Sequence, residues 1–210
     1  MDKKIKYIVG VDEAGRGPLA GPITVAAVAA TVNLKFQSAG KIKDSKKLSS
    51  RQREKWLQYL KNHPKISYVV SNVSAGVINK IGIQKATKLA VARVLRRLFR
   101  LFWLSHSQVT WLCDSREIKV LLDGSLYAPK HYSQKTIIKG DETVPVISAA
   151  SIIAKTTRDK KMLIFHKKFP QYGFDKHKGY GTEAHRRTLK KYGLSEIHRK
   201  LYCQTFLRNK

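Results

Sequence analysis

Val11-Asp12-Glu13-Ala14-Gly15-Arg16-Gly17-Pro18 is the stretch on which the fold turns. An apolar run from Ile5 to Val11 ends in two adjacent carboxylates, and a glycine-flanked arginine follows. Ionised carboxylates at the end of a buried strand need a cation, because an unpartnered charge removed from water is strongly unfavourable. Arg16 is one candidate for that cation and a divalent metal is another. Beyond the loop Gly15 to Pro22 lies a second β-branched run, Ile23 to Val32. Neither run alternates strictly, which is the pattern of strands covered on both faces.

Working outward, Ser49-Ser50-Arg51-Gln52 reads as a capping box opening a helix to about Leu60, and Ile66 to Val73 as a third strand. Ala75 to Trp103 is helical in pattern with a break near Gly82. Leu89, Leu95, Leu98, Phe99 and Phe102 form its apolar face, while Arg93, Arg96, Arg97 and Arg100 lie mostly elsewhere. Two short strands, Ile118 to Leu122 and Thr136 to Ile138, end at Asp123-Gly124 and Gly140-Asp141. Pro145 to about Lys168 predicts a long helix with proline in its first turn, where it is tolerated. Gly173 to Lys210 is basic, rich in aromatic residues and helical in pieces. Strands followed by alternating helix and strand, then a helical tail, predict an α/β core (1–170) with a basic helical portion (171–210) packed on the same unit.

The chain has 210 residues with 42 Lys+Arg against 14 Asp+Glu, a net charge of +28. Such an excess repels itself in a compact fold and attracts polyanions. The basic residues are spread through folded-looking sequence rather than gathered in a tail, which favours nucleic acid as the partner. Charge alone does not separate a nuclease from an architectural binder. Cys113 and Cys203 match no zinc or thioredoxin spacing and fit a reducing compartment. No secretory signal is visible, and Ile23 to Val32 is too short to span a bilayer. A soluble, cytoplasmic, membrane-free protein is expected, and nothing demands a second copy, so a monomer is expected too.

Three strand ends carry acids: Asp12 with Glu13, Asp123, and Asp141. Ligands and chemistry in open α/β sheets collect at such ends. Converging carboxylates repel one another, and hard oxygen ligands without a cysteine or histidine pattern point to Mg²⁺ or Mn²⁺. Two such ions would suit phosphodiester hydrolysis. The plainer reading also stands. Asp-Gly is a common turn signal, and neighbours such as Asp12 and Glu13 point to opposite faces of a regular strand. Ser148, Ser151, Lys155 and Asp159 make one polar stripe on the predicted long helix, facing either a site or solvent.

The motifs taken in order resemble those of the ribonuclease HII family, the bacterial type 2 ribonucleases H. The resemblance starts at Val11 to Pro22 and continues through Asp44-Ser45-Lys46-Lys47-Leu48, Leu122-Asp123-Gly124 and Lys139-Gly140-Asp141. It goes on through Ile147 to Lys155, Thr157-Arg158-Asp159 and Phe169 to Gly173, and closes at His177-Lys178-Gly179-Tyr180-Gly181-Thr182. The resemblance implies a ribonuclease H-like α/β fold, with a mixed five-stranded sheet flanked by helices. It implies a metal-dependent endoribonuclease that cuts the RNA strand of RNA–DNA hybrids, or single ribonucleotides embedded in duplex DNA. The products would be 3′-hydroxyl and 5′-phosphate ends, the setting ribonucleotide excision repair and RNA primer removal. Asp12, Glu13, Asp123 and Asp141 match the catalytic, metal-holding acids, with Mn²⁺ or Mg²⁺ expected as two ions per site. Gly15, Arg16 and Gly17 match the segment that reads the RNA-to-DNA junction, so the resemblance gives Arg16 to a phosphate rather than to the acids. Tyr180 matches the tyrosine that stacks on the neighbouring sugar, Lys46 a phosphate grip, and Ser148 the substrate edge. Lys155 and Asp159 are motif members without an assigned role.

Ribonuclease HIII is the alternative within the wider family. It usually carries an extra N-terminal domain, which is not expected ahead of a first strand so near Met1, and lacks this Gly-Arg-Gly form. From a different class, a non-catalytic nucleic-acid binder would gain nothing from four carboxylates facing phosphates.

Overall fold

β1 (Tyr7–Ala14) lies mid-sheet and carries the acidic pair. The computed structural model describes residues 5–38, 40–41, 48–105 and 117–207. β1 pairs antiparallel with β2 (Ile23–Thr31), and β2 leads through a minimal ladder of β3 (Gln37–Ser38) and β4 (Gly40–Lys41). α1 (Ser50–Asn62), β5 (Ser67–Val73), α2 (Ala75–Ser105), β6 (Ile118–Asp123) and β7 (Gln134–Ile137) follow. The sheet order is β5-β2-β1-β6-β7, with β2 antiparallel to both its neighbours and β1, β6 and β7 mutually parallel. The turn of helix α3 (Gly140–Thr143) then leads into α4 (Pro145–Lys168), and α5 (Phe174–His177), α6 (Glu183–Tyr192) and α7 (Lys200–Leu207) complete the chain.

β1 and β2 are covered on both faces, as their unbroken apolarity predicts. On one face Val9, Val11, Val25 and Ala27 meet Val94, Leu95 and Leu98 of α2. On the other, Ala26 and Val28 meet Trp56, Leu57 and Leu60 of α1 and Ile147, Ile152 and Ile153 of α4. Full burial of each such side chain contributes about 1.5–3 kcal/mol. The capping box forms as its residues predict: Ser49 Oγ accepts from Gln52 N, and Gln52 Oε1 accepts from Ser49 N at 2.8 Å. Gly82, at φ 78° and ψ 161°, breaks α2 where expected, and α4 has the predicted bounds.

The first strand differs from the expectation that it ends at Val11. The antiparallel ladder with β2 continues to Ala14↔Thr24, so Asp12 and Glu13 lie on the strand itself. Parallel pairing with β6, by contrast, stops at Val11↔Leu122. β1 therefore outruns its parallel neighbour, and the acids project over the gap left beside Asp123. The strand expected at Thr136 to Ile138 runs instead over Gln134–Ile137, leaving Ile138 exposed. Lys46 and Cys113 lie outside the described residues. A third apolar cluster joins Leu19, Ala20 and Met162 to Tyr172, Phe174, Leu189, Ile197 and Cys203, seating the C-terminal elements against the loop after β1. Among the described residues, no helix is long and apolar enough to cross a membrane.

Candidate active site

The C-terminal ends of the three parallel strands open into one cleft of about 500 Å³. Asp12 from β1, Asp123 from the end of β6 and Asp141 from α3 each turn a carboxylate oxygen inward, and these oxygens lie within 4.8 Å of one another. Asp12 and Asp141 are buried and Asp123 half-buried. Local geometry aims each of them. Asp12 Oδ1 accepts from the Glu13 amide at 2.7 Å, and its carboxylate also takes the Ser151 hydroxyl of α4. Asp123 Oδ1 accepts from the Asp141 amide at 3.1 Å, which ties the end of β6 to α3. Ser148 Oγ donates to the Asp141 carbonyl at 2.6 Å and so fixes that turn from beneath.

Glu13 lines the same cleft but stands outside that trio, because its carboxylate turns to Arg16, 3.5 Å away. Arg16 also donates to Ser125 Oγ at 2.8 Å. The arginine is thus a partial counter-ion for Glu13, contrary to its assignment to phosphate alone. Burial, then the Glu13 charge, holds the Asp12 carboxyl well above the usual carboxylate range. Burial raises Glu13 too, against the lowering influence of Asp12 and Arg16. Ionised carboxylates within 4.8 Å of one another repel by about 3.5 kcal/mol or more per pair at an effective dielectric near 20. An all-oxygen donor set under that strain fits a hard divalent cation.

The polar stripe of α4 faces this site. Ser151, Lys155 and Asp159 line the cleft, and Ser148, 1% exposed, lies under it rather than on its open wall. Asp159 also reaches Arg53 of α1 at 3.6 Å. Tyr180, half exposed, closes the opposite rim with Lys176 and Lys178. Gly15, at φ +94°, brings its backbone against Arg158: a Cβ there would sit 2.1 Å from Arg158 Nε. No L side chain fits that position. Gly17 has open space around it.

Two buried arginines hold this region together: Arg158, which the sequence offered only as a member of the Thr157-Arg158-Asp159 motif, and Arg199, which it did not single out. Arg158, 2% exposed, donates to the carbonyls of Pro22 (3.1 Å), Ala20 (3.2 Å) and Lys178 (3.0 Å). Arg199, fully buried, donates to the carbonyls of Gly15 (2.6 Å), Arg16 (2.8 Å) and Gly21 (2.9 Å). Arg158 had its place in the Thr157-Arg158-Asp159 motif and the oddity of a long cation inside the small, apolar part of α4, and neither signal gave its role.

A mixed sheet whose parallel strands bring acids together at one end, under a rim of cations, defines a metal-dependent nuclease of the ribonuclease H-like class. Residues 9–205 match the family model described as Ribonuclease HII. The chain is 38% identical over 195 residues to the Ribonuclease HII of Coxiella burnetii (strain RSA 493 / Nine Mile phase I), covering 93% of this chain and 87% of that one. The ribonuclease H2 crystal structure from Pyrococcus horikoshii OT3 superposes with a TM-score of 0.63 at 25% identity, covering 97% of this chain and 100% of that chain. A structure of Bst-RNase HIII in complex with Mn²⁺ shares the fold at 17% identity and TM-score 0.63, covering 95% of this chain and 65% of that one. The chain belongs to the ribonuclease HII family, and the resemblance read from its motifs is borne out.

Proposed function

We propose that this enzyme hydrolyses the RNA strand of RNA–DNA hybrids and cuts at single ribonucleotides within duplex DNA, leaving 3′-hydroxyl and 5′-phosphate ends. The observation that carries the reading is the convergence of Asp12, Asp123 and Asp141 within 4.8 Å in a chain of this family. These three, with Glu13 beside them, would hold two Mg²⁺ or Mn²⁺ ions. Bound there, the cations supply Lewis acidity toward the scissile phosphate and a water of lowered pKa. The chain's own residues do the positioning. Ser151 and the Glu13 amide orient Asp12, while the Asp141 amide orients Asp123. Gly15 and Gly17 let main-chain amides approach a ribose, whose 2′-hydroxyl distinguishes RNA from DNA. Arg16 would meet a phosphate, Tyr180 would stack on the adjoining deoxyribose, and Lys46 would grip the backbone.

A cleavage assay with Mg²⁺ or Mn²⁺ tests this on a one-ribonucleotide duplex, a full hybrid and an all-DNA duplex. The first two are expected to be cut and the third spared. Failure to cut either ribonucleotide-containing substrate with both metals would overturn the reading.

Charge predicts how the substrate is held. α2 carries Lys80, Lys85, Lys88, Arg93, Arg96, Arg97 and Arg100, all exposed, and no acidic residue. Arg93/Arg97 and Arg96/Arg100 are i,i+4 like-charge pairs, which weaken an isolated helix and are relieved by a polyanion. Duplex affinity measured between 50 and 200 mM salt is expected to fall with a log–log slope steeper than about −4, corresponding to several neutralised phosphates. A nearly flat plot would remove the electrostatic contribution.

The raised carboxyls give a second test. A folded pKa above the unfolded value means that the folded chain binds extra protons. The metal-free protein therefore loses stability as pH rises from about 4 through the raised values of Asp12 and Glu13. A divalent cation replaces those protons, so Mn²⁺ is expected to raise the melting temperature more at pH 8 than at pH 5. Equal increments at both pH values would show that these carboxylates are not the ligands.

A further inference from the structure

We infer that the His198-Arg199 pair, on the arm just before α7, is a positioning latch that sets the distance between the Gly15–Gly17 segment and Tyr180. Ribonucleotide selectivity then depends on residues that never touch the substrate. This rests on the proposed roles of that segment and of Tyr180.

The arm lies against the loop after β1. Arg199 N donates to the Leu19 carbonyl (2.8 Å), Gly21 N to the Ile197 carbonyl (2.8 Å), and Ala20 and His198 form an antiparallel bridge. From this anchorage the two side chains reach in different directions. The Arg199 guanidinium takes the carbonyls of Gly15 and Arg16. In a planar trans peptide the N–H points opposite to the C=O. Drawing those two carbonyls inward therefore aims the amides of Arg16 and Gly17 away from the guanidinium. Neither amide donates to any group among the described residues, so both remain available to a ligand.

His198 reaches the other jaw through His185. The amide and hydroxyl of Ser195 converge on His198 Nδ1 at 2.9 and 2.8 Å, so that nitrogen accepts and Nε2 carries the proton. His198 Nε2–H then donates to His185 Nε2 at 3.1 Å, and His185 Nδ1–H donates to the Tyr180 carbonyl at 2.9 Å. Every proton in this relay has one place. Both rings are essentially inaccessible, and burial pushes each down to about 4, so the order persists at neutral pH. The Tyr180 turn is tied back to the loop as well, because the Gly179 carbonyl accepts from Leu19 N at 2.8 Å. The two jaws and the arm form one hydrogen-bonded junction. A displacement near 1 Å at a positioned reactant can change rate about a hundredfold.

Arg199→Lys keeps a cation but cannot span three carbonyls, and His185→Phe keeps the ring packing but ends the relay. In each full-length variant with Mg²⁺, kcat/KM is measured on a one-ribonucleotide duplex and on a long hybrid, at a temperature where melting curves show the protein folded. The ratio of the two is expected to fall about tenfold in either variant. Equal losses on both substrates, or an unchanged ratio, would overturn the latch. If Arg199→Lys does not fold, His185→Phe decides alone. Tyr180→Ala separates the layers. If it leaves the ratio unchanged, the underlying reading of Tyr180 fails and the latch with it. If it lowers the ratio while the latch variants do not, only the latch fails.

Discussion

Replacing Asp123 by Asn is expected to lower cleavage of a one-ribonucleotide duplex by at least about 10³-fold while duplex binding persists. The size follows from its position. Asp123 ends β6 in the gap that β1 leaves by outrunning it, and its carboxylate faces those of Asp12 and Asp141 within 4.8 Å. Asn conserves shape and can still accept from the Asp141 amide at Oδ1, so the tie between β6 and α3 survives. What disappears is one negative charge from a site whose affinity for a hard cation depends on charge count. Duplex affinity, carried by the dispersed cations, should stay the same or rise slightly, since a carboxylate facing phosphates is removed. Mn²⁺ titration of the variant should show weakened binding in step with the lost rate. Cleavage within tenfold of the parent would remove Asp123 from the metal site.

Much of that site was legible in the sequence because it repeats one local pattern, an apolar run followed by an acid with glycine within two residues of it. Asp12, Asp123 and Asp141 each follow it, and the sheet brings the three ends together. Elements set by short-range chemistry were equally legible: the Ser49–Gln52 capping box, the break at Gly82, and the α4 start at Pro145. The misjudged end of β1 has a non-local cause. Whether the strand stops at Val11 depends on how far β2 accompanies it, and that ladder closes only at Ala14↔Thr24. The turn of Glu13 toward Arg16 was one of the two pairings the sequence left open, and the resemblance, by giving Arg16 to a phosphate, set it aside. The roles of Arg158 and Arg199 were hidden for another reason. Arg158 stood in a motif without a role, and among 42 basic residues nothing local marks Arg199 or says that both are spent on main-chain carbonyls. Their role is defined by the loop Gly15–Pro22 that they hold, more than 130 residues earlier in the chain.

Gly10→Ala should be among the most damaging single substitutions for stability, although it adds one methyl group two residues before Asp12 of the carboxylate cluster. Gly10 lies in mid-sheet, paired with Val28 of β2 and Leu121 of β6, where the first turn of α4 crosses β1. A Cβ at this position would stand 2.2 Å from the Val146 carbonyl oxygen, 2.3 Å from its carbon and 2.6 Å from Ile147 N. All three are main-chain atoms, so no rotamer change relieves the clash; the helix or the strand must move. Both are held from the far side, β1 by its ladders and α4 by the packing of Ile147, Ile152 and Ile153. Overpacking of this kind costs typically 1–3 kcal/mol when side chains can yield, and more when only backbone can. We expect a loss of about 3 kcal/mol or more, read as a fall in melting temperature of roughly 6–12 °C or greater for a chain of this size. Gly17→Ala is the matched control. No atom lies within 4 Å of its added Cβ, so its melting temperature should stay within about 2 °C of the parent, as for an exposed substitution. A Gly10→Ala loss below about 1 kcal/mol would mean that α4 does not seat directly on β1. The frame that positions Asp12 against Asp141 and Ser148 would then need another explanation.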